Sequence, residues 1–334
     1  MYSVTIDSGT TNSRVFVWKG RELLAEASRP VGVRDTAITG STETLAKGVK
    51  EAVEEALGKA GILSTEGITF LSSGMITSNV GLCEIPHLAA PVGLAELAKG
   101  IRKTVVPEVV DQPIWFVPGV KNNDKAVTPD NCESMDMMRG EEAETIGVLS
   151  ALDISGPAVI LLPGSHSKFV KIDADNRITG CITTISGELL DVITKNTILA
   201  SSLDHGFADS IDAGALMKGA ENCASVGLSR CCFSVRILDV FKGMTQNQLR
   251  NFLLGAVLQT DILALKNSRA LNVGSDAKMI ICGKKMLKDA FEILLRQDDF
   301  FKGDIITAPD DLGPLSGLGV MEIASYAKTS AMEG

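Results

Sequence analysis

Three short stretches carry residue types that could handle a phosphoryl group. The first is Ile6-Asp7-Ser8-Gly9-Thr10-Thr11-Asn12-Ser13-Arg14, which sets a carboxylate, a glycine and several hydroxyl and amide groups between two β-prone runs. Backbone N–H groups and hydroxyls in such a turn can form a concave anion site. Asp7, at the end of a strand, offers the hard oxygen that suits Mg2+ through water. The same turn also reads as a plain hairpin in which Thr10, Thr11 and Asn12 satisfy its own backbone groups. The second stretch, Gly164-Ser165-His166-Ser167-Lys168, again offers glycine, hydroxyls and a cation after an apolar strand. The third, Arg139-Gly140-Glu141-Glu142, places carboxylates where a helix is expected to begin. Phosphoryl transfer to an alcohol needs a carboxylate to orient the hydroxyl and take its proton. Arg139 could keep such a carboxylate ionised or contact an anionic substrate. Acids in a first helical turn are also favoured by the helix dipole alone.

These stretches need elements to position them. Val4-Thr5-Ile6 and Val15-Phe16-Val17-Trp18 predict two strands around the first turn, whereas the common phosphate loops GxxxxGK[ST] and GxGxxG lead into helices and are absent. Helical spacing of apolar residues predicts helices over 42–57, near 93–103 and over 140–151. Strands are expected at 68–71, 113–118, 158–162 and 169–173. The second turn then looks like the first used again: Gly9 and Gly164 are 155 positions apart, and Val15 and Val17 fall on Val170 and Ile172 at the same offset. A duplicated two-lobed fold leaves such a trace. The polar segment 121–133 is the best lobe boundary, dividing the chain into 1–128 and 129–334. The remainder is expected to alternate helix and strand, with a long helix around 249–257, a strand at 278–282, a helix at 285–295 and a final helix through Val320. The class is α/β.

Composition narrows the function. The 334 residues suit two domains, and 45% hydrophobic with 22% charged residues is ordinary globular composition. A net charge of -9 and only 4% aromatics speak against nucleic acid or an anionic membrane as partner. Seven scattered cysteines without a CxxC pair, and three histidines, do not suggest a structural zinc site. No leader or membrane-length apolar run is expected, so a cytoplasmic location is.

The segments IDSGTTNSRVFVW, SGMITSNVG, MMRGEEAETIG, LLPGSHSKFV and ISGELLDVI occur in this order over the first 200 residues. Together they resemble the 2-dehydro-3-deoxygalactonokinase family of the sugar kinase, Hsp70 and actin superfamily. The resemblance implies two ribonuclease-H-like lobes, the actin-like ATPase or sugar kinase fold, closing an interlobe cleft over ATP, Mg2+ and a C6 2-keto-3-deoxy acid. It implies phosphorylation of the C6 hydroxyl in D-galactonate catabolism. By position it assigns Asp7 to Mg2+ and Gly9, Thr10, Thr11 and Asn12 to the phosphates. Gly164, Ser165 and His166 form the second phosphate loop, and Gly283 touches the nucleoside. Glu141 stands where related kinases carry a catalytic aspartate and is the expected general base. Arg139, Ser78, Asn79 and Arg14 are the expected sugar-acid contacts. The sequence departs from relatives in the adenosine loop Ile281-Cys282-Gly283-Lys284-Lys285, which is poorer in glycine. Alternatives are a kinase of another 2-keto-3-deoxy acid, or a non-catalytic sugar sensor of the same superfamily. A homo-oligomer is left open.

Overall fold

A computed structural model describes residues 2–333. The opening stretch folds as a hairpin because its apolar residues alternate toward a common core. In β1 (Tyr2–Ser8), Val4 and Ile6 are fully buried, and in β2 (Ser13–Lys19) Val15 and Val17 join them. The strands run antiparallel, with Asp7 opposite Arg14 and Ser8 opposite Ser13.

The first half continues through β3 (Glu22–Arg29), α1 (Val33–Thr39), α2 (Glu43–Lys59), β4 (Thr69–Gly74), β5 (Leu88–Ala89), α3 (Leu94–Gly100), β6 (Arg102–Val106) and β7 (Val110–Phe116). After β8 (Val120–Lys121) and β9 (Met137–Met138) comes α4 (Glu141–Leu152). The second half comprises β10 (Ala158–Leu162), β11 (Ser167–Ile172), β12 (Ile178–Thr184), α5 (Ser186–Asn196), α6 (Ala213–Val226), α7 (Leu228–Val240) and α8 (Gln246–Asn267). It closes with β13 (Met279–Ile281), α9 (Lys285–Gln297), β14 (Ile305–Thr307) and α10 (Leu315–Glu333).

Two sheets share one plan. The first has order β3-β2-β1-β4-β7-β6 and the second β12-β11-β10-β13-β14. In each, a three-stranded antiparallel meander leads to parallel strands on the far side of its first member. The offset seen between the two turns extends further. Gly32 precedes α1 and Gly187 lies in the first turn of α5, again 155 positions apart. A Cβ on Gly32 would come within 2.4 Å of the Thr10 carbonyl, and one on Gly187 within 2.2 Å of the Gly164 oxygen. In both halves, therefore, a glycine lets the following helix lie against the hairpin turn.

Two expectations differ from the structure. The helix expected over 93–103 ends at Gly100, because Thr104, Val105 and Val106 belong to β6, which pairs antiparallel with β7. The expected alternation holds from α8 to α10, but before it three helices, α5 to α7, follow one another directly, so residues 186–267 form four successive helices. Helix α8 is buried on most sides, so its apolar residues show little one-sided periodicity. The polar segment 121–133 leads from β8 toward β9; β8 pairs with β5 on one side and β9 on the other in a small third sheet. Helix α10 packs on α3, α4, β1 and β4. Among the described residues no helix is long and apolar enough to cross a membrane.

Candidate active site

The site is built where the two hairpins and the start of α4 converge. A cavity of about 430 Å³ is lined by Asp7 and Arg14 from the first hairpin, Arg139 and Glu141 from the entry to α4, and Gly164 and His166 from the second hairpin. Gly283, after β13, completes the set of expected residues on its wall. Seven residues predicted from sequence thus share one cavity.

Asp7 faces Arg14 Nη2 at 3.1 Å and accepts a hydrogen bond from Ser316 Oγ at 3.4 Å. Burial pushes its carboxyl above the usual range, while Arg14 and Ser316 oppose that shift. Gly9 N donates to Asn12 O at 2.9 Å and closes the turn, leaving Thr10, Thr11 and Asn12 exposed. These four do not line the cavity; they form the lip beside Asp7. Beneath the lip, Ser13 Oγ donates to Val31 O at 2.8 Å and lies 2.7 Å from Ser8 Oγ, so Ser8 is the donor of that pair.

Glu141 is the first residue of α4, and Gly140 before it has φ +113°, a conformation that favours glycine. Its Oε2 accepts from Arg139 N at 3.1 Å. Burial raises the Glu141 pKa, Lys168 lowers it, and Asp7 adds a smaller upward push. A carboxylate tuned upward by burial suits a general base. One helical turn on, Glu144 also lines the cavity. Burial, Asp7 and Glu141 push it up to about 8, against Arg14. Its i, i+3 spacing from Glu141 was a readable signal that the sequence reading passed over.

Arg139 lines the cavity, but its guanidinium is engaged elsewhere. Nη1 donates to Thr77 O at 2.7 Å and Thr77 Oγ1 at 2.8 Å, and Nη2 donates to Ile85 O at 2.8 Å. Nη2 also meets His87 Nδ1 at 3.3 Å. It therefore straps the 77–87 loop to the entry of α4. Burial, Arg139 and Lys121 push His87 down to about 4, so the ring is neutral at neutral pH and its Nδ1 can accept from Arg139 Nη2. Ser78, next to the strap, is buried with its Oγ unpartnered, whereas Asn79 is exposed; neither lines the cavity. Ser165 is likewise exposed, at the outer side of the second turn.

The remaining wall comes from the loop around Gly283 and from residues before and at the start of α10 that had no local sequence signal. Gly313 and Pro314 from the loop before α10 and Leu315 and Ser316 from its first turn enter the wall, and Cys282 and Lys284 flank Gly283. Lys288 on α9, 3% exposed, donates to Ala308 O and to Asp310 Oδ1 and so pins that loop from below.

The donor set fits a hard divalent ion held by one carboxylate with water and phosphate oxygens. Asp7 is the carboxylate, and among the described residues no group of three or more acidic, histidine or cysteine ligands could cage a metal by itself.

Comparison with known proteins gives the family. A family model described as 2-keto-3-deoxy-galactonokinase matches residues 7–305. A Rhizobium meliloti (strain 1021) protein named "Probable 2-dehydro-3-deoxygalactonokinase" is 30% identical over 268 residues, 78% of this chain and 79% of that one. Among solved structures, a Sinorhizobium meliloti protein designated a 2-dehydro-3-deoxygalactonokinase superposes with TM-score 0.71 at 23% identity, covering 98% of this chain and 96% of that one. The activator of 2-hydroxyisocaproyl-CoA dehydratase from Clostridium difficile, with bound ADPNP, shares the fold at TM-score 0.51 and 15% identity, over 100% and 98% of the two chains. From its match to the family model and to the Rhizobium relative, the chain belongs to the 2-keto-3-deoxy-galactonokinase family and is a sugar-acid kinase.

Proposed function

We propose that the protein transfers the γ-phosphoryl group of ATP to the C6 hydroxyl of 2-dehydro-3-deoxy-D-galactonate, a step in D-galactonate catabolism. The observation that carries this reading is the convergence of Asp7, Glu141, Gly164 and His166 on one cavity. The two hairpin turns cradle the phosphates, with Gly9, Thr10, Thr11 and Asn12 on one side and Gly164, Ser165 and His166 on the other. Gly283 adjoins the nucleoside. Asp7 would hold Mg2+, which when bound neutralises phosphate charge. Glu141 takes the proton of the C6 hydroxyl as its oxygen bonds to the γ-phosphorus and the bond to ADP breaks. The sugar acid enters from the side of Ser78, Asn79 and Arg139, with Arg14 near the transferred group. The cytoplasm is the expected compartment.

The test is ADP release with 2-dehydro-3-deoxy-D-galactonate, its gluconate epimer and simple hexoses. The proposal expects turnover with the galactonate derivative well above the others, and a product whose phosphate sits on C6 by 31P and 1H NMR. Binding of the sugar acid without ADP release would leave a sugar sensor instead. Faster turnover of the epimer would reassign the substrate.

A further inference from the structure

A buried lysine ties the second hairpin turn to the entry of α4. Lys168, 4% exposed, follows the Gly164–His166 turn by two residues and lies on β11. Strand alternation puts it on the face of Val170 and Ile172, which belong to one apolar cluster with Met138, Ala143 and Ile146. Its Nζ donates to Met137 O at 2.9 Å and to Thr183 Oγ1. Thr183, its cross-strand partner on β12, donates in turn to Asp136 Oδ1 at 2.9 Å. The Lys168 Nζ lies 3.7 Å from that same oxygen, which also accepts from Met137 N at 2.7 Å. One ammonium therefore holds Asp136 and Met137, the residues just before Met138-Arg139-Gly140-Glu141.

From there the connection to the Glu141 carboxylate is short. Met138 pairs with Val120 of β8, and Arg139 N, two residues beyond the held carbonyl, donates to Glu141 Oε2 at 3.1 Å. The Arg139 guanidinium reaches the other way, to Thr77 O and Ile85 O. The segment 136–141 is thus fastened to the first half of the chain by Arg139 and to the second hairpin by Lys168.

As a contribution to core stability alone, a lysine is a poor choice at this position. A methionine would extend the apolar face of Val170 and Ile172 without taking an ammonium out of water. Lys168 is not on the cavity wall, so it does not touch the phosphates there. What the ammonium supplies is a fixed span between the hairpin turn and the carboxylate. Transfer of a phosphoryl group to an alcohol depends on that span, because the hydroxyl and the γ-phosphate must meet in line.

We propose that Lys168 is a positioning residue for phosphoryl transfer: by holding Met137 O and Asp136 it sets the Glu141 carboxylate at its working distance from the Gly164–His166 turn. The proposal rests on the reading of Glu141 as the base and of that turn as a phosphate loop.

The experiment uses the full chain carrying Lys168→Met, Asp136→Asn, or both, with ATP and 2-dehydro-3-deoxy-D-galactonate as substrates. Lys168→Met is expected to lower kcat about 100-fold, the cost of an ångström-scale misplacement, while KM for the sugar acid and ADP affinity stay level. Amide exchange at 137–142 should accelerate while β1 and β2 keep wild-type protection. Asp136→Asn leaves the bond to Met137 O in place and should keep kcat near wild type. The double variant has no unpaired carboxylate, so its melting temperature should recover toward wild type while its kcat stays low. On a Glu141→Gln background, Lys168→Met should lower kcat little further, since both changes act on one group.

Wild-type kcat in Lys168→Met would overturn the proposal. So would a kcat that recovers with the melting temperature in the double variant, or losses that multiply on the Glu141→Gln background. If Lys168→Met does not fold, the double variant decides by kcat and exchange. Near-wild-type turnover in Glu141→Gln alone would sink the reading of the base, and the role of Lys168 with it. A large loss in Glu141→Gln beside wild-type turnover in Lys168→Met would overturn the role of Lys168 and leave the base standing.

Discussion

Ser316 Oγ donates to Asp7 Oδ2 at 3.4 Å, joining the first turn of the last helix to the end of the first strand across 309 positions. Both are largely buried, and Arg14 approaches the same carboxylate oxygen. The contact fixes which way Asp7 points, as the proposed hold on Mg2+ would require. Asp7→Asn keeps the shape and removes the charge. It is expected to lower turnover by at least ~100-fold, in the range seen when an electrostatic stabiliser is lost. ADP binding should lose its dependence on Mg2+, read by calorimetry with and without the ion. Ser316→Ala should shift the Mg2+ dependence only a few-fold, as loss of one neutral donor does. An unchanged magnesium requirement in Asp7→Asn would remove Asp7 from the metal site.

Glu141→Gln tests the base. The substitution keeps an acceptor for Arg139 N, so folding and ADP affinity should hold. The kcat should fall by about 100- to 10,000-fold, as expected when a positioned base can no longer accept a proton. The acidic limb of the kcat–pH profile should vanish with it. Turnover within a few-fold of wild type would assign the proton to another group, with Glu144 the next carboxylate on the cavity wall.

The Arg139 strap separates charge from shape. Lysine keeps the charge but cannot serve Thr77, Ile85 and His87 with two nitrogens at once. Arg139→Lys should cost about 1.5–3 kcal/mol of stability, the worth of a charged hydrogen bond. It should also raise KM for the sugar acid while ADP affinity stays level. An unaltered denaturation midpoint in this variant would show that the strap carries no load.

How much of this was readable beforehand follows from where each signal lies. The two hairpin turns and the Arg139–Glu141 entry are local, so residue type and spacing located them, and the 155-residue offset joined them. The long helix expected around 249–257 is α8, although burial on several sides leaves it little one-sided period; α6 and α7 were not read from sequence. Ser316 and Lys288 were invisible for another reason. Each acts on a residue outside its own turn of chain, and nothing near it in sequence hints at the partner. Arg139 was found as a site residue, yet its engagement with Thr77, Ile85 and His87 emerges only when the 77–87 loop folds over it.

Glu142 gives the pH prediction. Its side chain is fully buried and both oxygens accept from Gly140 N, at 2.9 and 2.8 Å. Burial and the neighbouring Glu141 push it up to about 8, against the backbone donors and Arg139. A carboxyl with a raised native pKa binds its proton more tightly in the folded than in the unfolded chain. Its contribution is therefore complete below the ordinary value of 4.5 and is lost as pH rises through about 8. The melting temperature of the wild type should fall between pH 6 and pH 9. Glu142→Gln still offers an oxygen to Gly140 N and has no charge to bury, so its melting temperature should fall less over the same range. Parallel curves for the two proteins would mean that Glu142 is ionised in the folded state throughout.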